Sequence, residues 1–192
     1  SGATWTQRTS GIWALTYDDT DDKVTATIAS GLSGSFTIIV WTTFTAFVDN
    51  ETKSILSSHV ASYNNYWAIL FGLKSGVATP RLCANLYDGT NNPFITGSTG
   101  LTTSTWYHCA LIRDTVADTI AIFLNAVSDA TPVADSTTSV PVYSVLALGC
   151  NYRTVTPVDY FGGIMGEVLV YNRALTVLEL QQHRLATKWR YQ

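Results

Sequence analysis

With 192 residues and a 46% hydrophobic fraction, the chain can bury one large core, and its 13% charged fraction, about half the usual globular share, excludes an intrinsically disordered protein. The net charge is −3 and the Lys and Arg residues are scattered, so there is no cationic run to neutralise phosphates and no nucleic-acid partner is expected. No apolar stretch approaches the roughly 20 residues of a membrane helix, so no membrane insertion is expected, and Ser1-Gly2-Ala3-Thr4-Trp5 lacks the basic and apolar regions of a signal peptide.

Taken in order, the chain is a succession of short β-branched and aromatic runs separated by Gly, Asn, Asp and Ser clusters. That pattern predicts an all-β sandwich or barrel in one domain, residues 1–192. Strands are expected at Lys23–Ile28 and Ser35–Phe44, the latter apolar on both alternating faces as in the centre of a sheet. Ser54–Val60, Tyr66–Leu73 and Arg81–Tyr87 follow, the last ending at the turn signal Asp88-Gly89. Residues 90–104 are expected as a loop. Trp106–Arg113, Thr119–Leu124, Val145–Cys150 and Gly166–Tyr171 complete the β set. Thr176-Val177-Leu178-Glu179 is a capping box, and Leu178, Leu185 and Trp189 suggest the stripe by which one short C-terminal helix packs. Cys83, Cys109 and Cys150 have no metal-ligand spacing and read as buried small hydrophobes.

Four segments resemble the laminin-G-like jelly rolls of the concanavalin-A-like lectin/glucanase superfamily. They are Tyr17-Asp18-Asp19-Thr20-Asp21-Asp22-Lys23-Val24, with Asp19 where glycine is usual, and Phe36-Thr37-Ile38-Ile39-Val40-Trp41. The third is Trp106-Tyr107-His108-Cys109-Ala110 with the following Phe123-Leu124-Asn125-Ala126, where Ala126 replaces a glycine. The fourth is Gly163 to Tyr171 with the exit turn Asn172-Arg173-Ala174-Leu175. The resemblance implies a two-sheet antiparallel jelly-roll sandwich with one short C-terminal helix. It does not choose among the lectins, adhesins, accessory modules and virion proteins that share this fold.

The glucanases of this superfamily carry paired carboxylates on one strand, about 5–5.5 Å apart in retaining enzymes. This chain has three glutamates, Glu51, Glu167 and Glu179, and none has a second carboxylate two residues away on a strand. His108, in the Trp-x-His position, is expected to be structural, and His59 and His183 to lie at the surface. Asp18, Asp21 and Asp22, with Glu167 as a distant partner, offer the oxygens that Ca²⁺ requires; the alternative is a solvated acidic turn. No other cofactor is required. Aromatics beside amides suit sugars, whose C–H faces stack on rings while hydroxyls bond amides. Tyr63, Asn65, Tyr66 and Trp67 form one such set, Tyr87, Asp88, Asn91 and Asn92 a second, and Tyr152 and Arg153 a third.

The expected function is a non-catalytic surface-recognition module, glycan-binding, placed extracellularly or on a virion surface. The alternative is a virion or cell-surface structural protein whose partners are other protein chains, and a glycoside hydrolase is third.

Overall fold

The run Phe36–Phe44 becomes a strand buried at every position, because both of its faces meet apolar layers. A computed structural model describes residues 2–28, 31–45, 47, 51–59, 67–74, 79–137, 145–152 and 156–192, with the backbone alone at 59, 67 and 68. In chain order the strands are β1 (Thr4–Gln7), β2 (Trp13–Asp18), β3 (Val24–Thr27), β4 (Phe36–Phe44), β5 (Thr52–His59), β6 (Trp67–Lys74) and β7 (Arg81–Leu86). They continue with β8 (Phe94–Thr96), β9 (Tyr107–Asp114), β10 (Thr119–Leu124), β11 (Val127–Ser128), β12 (Val133–Ala134), β13 (Val145–Leu148) and β14 (Gly162–Tyr171). Helix α1 (Val177–Thr187) and a 3₁₀ turn (Lys188–Tyr191) follow.

One sheet has the order β1-β2-β14-β4-β9-β10-β11, with β12 also pairing β10, and the other the order β3-β13-β5-β6-β7-β8. The pairings are antiparallel in both sheets. Phe36, Ile38, Val40 and Phe44 point from β4 into a core shared with Ile69, Phe71 and Leu82 of the facing sheet. The fold is therefore an antiparallel jelly-roll sandwich.

The outer face of β4 is covered too. Ile39 belongs to a second cluster with Leu175 and Leu180, built where α1 lies on the sheet. The exit turn is pinned there by Thr37, whose hydroxyl donates to the Arg173 carbonyl and accepts from Leu175 N–H, each at 2.9 Å. Thr176 caps α1, with both halves of the expected capping box present.

The expected packing stripe of that helix needs correcting. Leu178, Leu185 and Trp189 are 60%, 58% and 61% exposed, whereas Leu180, Thr187 and Tyr191 are buried. Apolar residues seven and eleven positions apart share a face, but it is the outward one. Hydrogen bonding lets a threonine serve on the inward one. Trp106 likewise lies half-buried just before β9, tilted against Tyr191 at 4.8 Å, rather than inside a strand.

Four short strands were not expected from the sequence, β1, β8, β11 and β12, and neither was β2. β8 lies within the stretch read as loop, and its three residues become a strand through pairing with β7. Asp19 and Ala126, the two positions where glycine is usual, both have left-handed backbone, with φ of 70° and 62°. Asn125 and Ala126 are the two-residue turn that joins β10 to β11. The three cysteines are free and buried. Burial pushes Cys83 up to about 12 and Cys150 up to about 11, so both remain thiols.

Candidate functional site

The acidic turn after β2 folds around its own backbone. Asp18 Oδ1 accepts from Thr20 N–H at 2.9 Å and from Asp21 N–H, which hold its carboxyl below the ordinary value. Asp22 is buried, and its Oδ2 accepts from Asp18 N–H at 3.0 Å while its Oδ1 has no hydrogen-bond partner. Carboxylate oxygens of Asp18, Asp21 and Asp22 lie within 4.8 Å of one another. Asp19 turns away to pair with the buried Lys53, which also meets Glu51 at 2.9 Å.

Glu167 does not join this group. Asp18 is opposite Gly162 on β14, and Glu167 lies five residues further along that strand, roughly 16 Å at the strand rise. Its carboxylate instead meets His183 Nε2 at 3.0 Å and Arg190 at 3.6 Å. His183, expected at the surface, bridges under α1, its Nδ1 lying 2.9 Å from His108 Nε2. The carboxylate requires Nε2–H on His183, so for neutral rings His108 Nε2–H donates and its buried Nδ1 is left without a partner.

This arrangement predicts a pH response. Burial first, then His183 and Arg184, push His108 down to about 3. The unfolded chain takes up this proton near pH 6.5 and the folded chain does not. The stability is thus complete above about pH 6.5 and is lost as the pH falls toward 3, by about 2 kcal/mol between pH 7 and pH 5. Urea unfolding at the two values should show this drop, and His108→Gln should remove most of it. An unchanged drop in that variant would show that His108 is not its source.

The expected aromatic loops are only partly visible. Tyr63, Asn65, Tyr66 and Arg153, and the side chain of Trp67, lie outside the described residues. Asp88 is buried and shapes its own loop, accepting from Thr90 N–H, Asn91 N–H and the Asn91 amide. Tyr87 donates to the Gly89 carbonyl at 2.9 Å, and Tyr152 N–H is held by Ser57 Oγ at 2.8 Å. Among the described residues of the three sets, Asn92 lines a concavity.

That concavity is a trough of about 470 Å³ on the outer face of the six-stranded sheet. Its floor is made by outward residues of the central strands, Thr52, Leu70, Cys83 and Asn85. Gly72 stands between them, and a Cβ there would lie 2.3 Å from the Lys53 carbonyl. One wall is Lys74, Asn92 and Phe94. The Lys74 ammonium sits 4.8 Å from the centroid of the Phe94 ring, which is 41% exposed. Asn85 holds this wall, its amide donating to Asn92 Oδ1 and to the Pro93 carbonyl. The other wall is Asn151 and Asp159. They are joined by a 2.8 Å amide–carboxylate bond, and Asn151 Oδ1 has no hydrogen-bond partner. This wall is anchored on β5, where Ser54 N–H donates to the Asp159 carbonyl beside a bulge. Lys74, Phe94 and Asp159 went unnoticed in the sequence because their meeting depends on the register of β5 to β8.

Two antiparallel sheets in jelly-roll order, with a shallow polar and aromatic trough on one outer face, define a lectin-like sandwich. The chain belongs to the concanavalin A-like lectin/glucanases superfamily, whose family model matches residues 18–181. The structure is similar to a heptameric SAP-like pentraxin from Limulus polyphemus, at 13% identity over 88% of this chain and 79% of that one, with a TM-score of 0.69. It is similar to the CBM40 of Ruminococcus gnavus IT-sialidase bound to α2,3-sialyllactose, at 17% identity over 84% of this chain and 97% of that one, with a TM-score of 0.66. It is also similar to part of a Trypanosoma rangeli sialidase, at 14% identity and a TM-score of 0.69, covering 94% of this chain but 28% of that one. No curated protein sequence matches the chain. No helix among the described residues is long and apolar enough to cross a membrane.

Proposed function

We propose that the domain is a non-catalytic glycan-recognition module, working extracellularly or on a virion surface, and that the trough over the six-stranded sheet is its sugar site. The observation that carries this is the exposed Phe94 ring on one wall of the trough, with the Asn92 amide on the same wall and the Asp159 carboxylate on the other. A pyranose stacks its C–H face on such a ring while Asn92 and Asp159, the latter held by Asn151, bond its hydroxyls. The likeness to a carbohydrate-binding module solved with a bound oligosaccharide supports the reading. Asp159 is the one carboxylate lining the trough among the described residues, and the two-carboxylate route of glycoside hydrolysis needs a second.

The expected outcome is that Phe94→Ala keeps the wild-type melting temperature, since the ring is half in solvent, and weakens binding to the best glycan of an array by about tenfold. Unchanged affinity in the folded variant would place the site elsewhere.

A calcium site in the acidic turn is a second proposal, favoured by the buried, unpartnered Asp22 Oδ1 facing two further carboxylates. This donor set suits a hard cation whose remaining positions are taken by carbonyls and water. Calcium at about a hundred times its dissociation constant should add about 2.7 kcal/mol of stability, and Asp22→Asn should reduce this. Equal melting temperatures in EDTA and in calcium would refute the site.

A further inference from the structure

The trough carries an unbalanced charge at one end. Register places Lys74 of β6 directly opposite Arg81 of β7. Leu73 and Leu82, their neighbours, are buried in the core, so alternation puts both cations on the outer face. Side chains directly opposite on antiparallel strands stand about 5 Å apart at Cβ, and like charges there repel. No described carboxylate forms an ion pair with either residue. Glu51, just before β5, is taken by Lys53, and Asp159 across the trough is bonded to the Asn151 amide. Arg81 Nε is buried with no hydrogen-bond partner, and Lys74 has the Phe94 ring for its close neighbour. A neutral sugar would leave this repulsion in place. An oxyanion lying between the two side chains would relieve it and accept from the terminal nitrogens of the guanidinium.

Resting on the reading of the trough as a sugar site, we propose that its ligand is an acidic glycan. Its oxyanion sits between Lys74 and Arg81, and a sugar ring lies on Phe94 toward Asn92 and Asp159. Carboxylate and sulfate sugars share this chemistry. The planar fork of arginine matches either.

The test uses an array of neutral, sialylated, uronate-containing and sulfated oligosaccharides, followed by titration of the strongest hit with the wild type, Lys74→Gln, Arg81→Gln and the double variant. Melting temperatures confirm that each variant is folded. The expected result is that acidic sugars lead, that binding weakens as NaCl rises, and that each substitution costs about tenfold on the acidic sugar and narrows its preference over the neutral counterpart. The carboxylate and sulfate arms then identify the source of the oxyanion. Equal binding of neutral and acidic sugars, indifferent to both substitutions but sensitive to Phe94→Ala, would overturn the acidic ligand and keep the sugar site. Absence of binding to every sugar by the folded wild type would overturn both.

Discussion

Trp41→Ala is expected to destabilise the domain by about 3–5 kcal/mol, a large share of the stability of an ordinary domain. Trp41 projects from the outer face of β4 and is buried beneath the C-terminal segment. Its indole N–H donates to Thr187 Oγ1 at 2.9 Å, and that hydroxyl donates on to the His183 carbonyl at 2.8 Å. Its ring stacks on Tyr191, with centroids 4.7 Å apart and planes at 19°, and meets His108 edge-on at 5.1 Å. Tyr191 in turn accepts from Glu167 N–H at 2.8 Å, a donor released by the bulge between Met165 and Val168. Gly166 makes room for that ring, because a Cβ there would lie 2.4 Å from it. Truncating Trp41 therefore undoes the seat of the whole C-terminal segment. Urea unfolding measures the loss; Trp41→Phe, which keeps a ring and loses the N–H, should fall between. An unchanged midpoint for Trp41→Ala would show that the contacts of this indole contribute nothing to stability.

Asp135→Ala is expected to cost about as much, 3–5 kcal/mol, because it strands a buried charge. Arg113 stands opposite Phe36 and Ile120, both core residues, and so points into the sandwich. It is 1% exposed and Asp135 is 5% exposed. Arg113 Nε donates to Asp135 Oδ2 at 2.6 Å, and its other nitrogens reach Thr137 Oγ1 and the Ser33 carbonyl. Replacing both partners by apolar residues, as in Arg113→Met with Asp135→Leu, should restore much of the loss, since no uncompensated charge remains. If the double variant is no more stable than Asp135→Ala, the damage lies in the loop that Asp135 shapes through Thr137 and not in the charge.

The sandwich was legible wherever a strand is read by two layers at once. β4 announces itself because each of its faces needs apolar side chains, and the exit turn and capped helix because their hydrogen bonds are local. β1 and β8 were not legible, since three or four residues become a strand only when a neighbour supplies the partner groups. The helix stripe misled for a related reason. Leu178, Leu185 and Trp189 have helical spacing, but the sheet receives Leu180, Thr187 and Tyr191, and a threonine on that face makes sense only once Trp41 lies beneath it. The trough was the least legible part. Thr52, Lys74, Cys83 and Phe94 come from four strands, and their meeting is fixed by register. Among the aromatic and amide residues singled out by composition, Asp88 and Tyr87 are occupied in shaping their own turn.

The place of β14 in its sheet also governs how the fold can be reached. It lies between β2 and β4, so the sheet has a gap in its middle until residues near 162–171 are available. During synthesis β2 and β4 emerge more than a hundred residues ahead of the strand that joins them. Each then carries an unsatisfied edge that other chains can pair with. Closing so long a loop adds only slowly to the entropic cost, but it delays the rewarding contacts, which places this domain among the slow folders. A chain stalled before Gly162 would be left with two open edges and a sheet split in two, and aggregation would compete with completion from that point on.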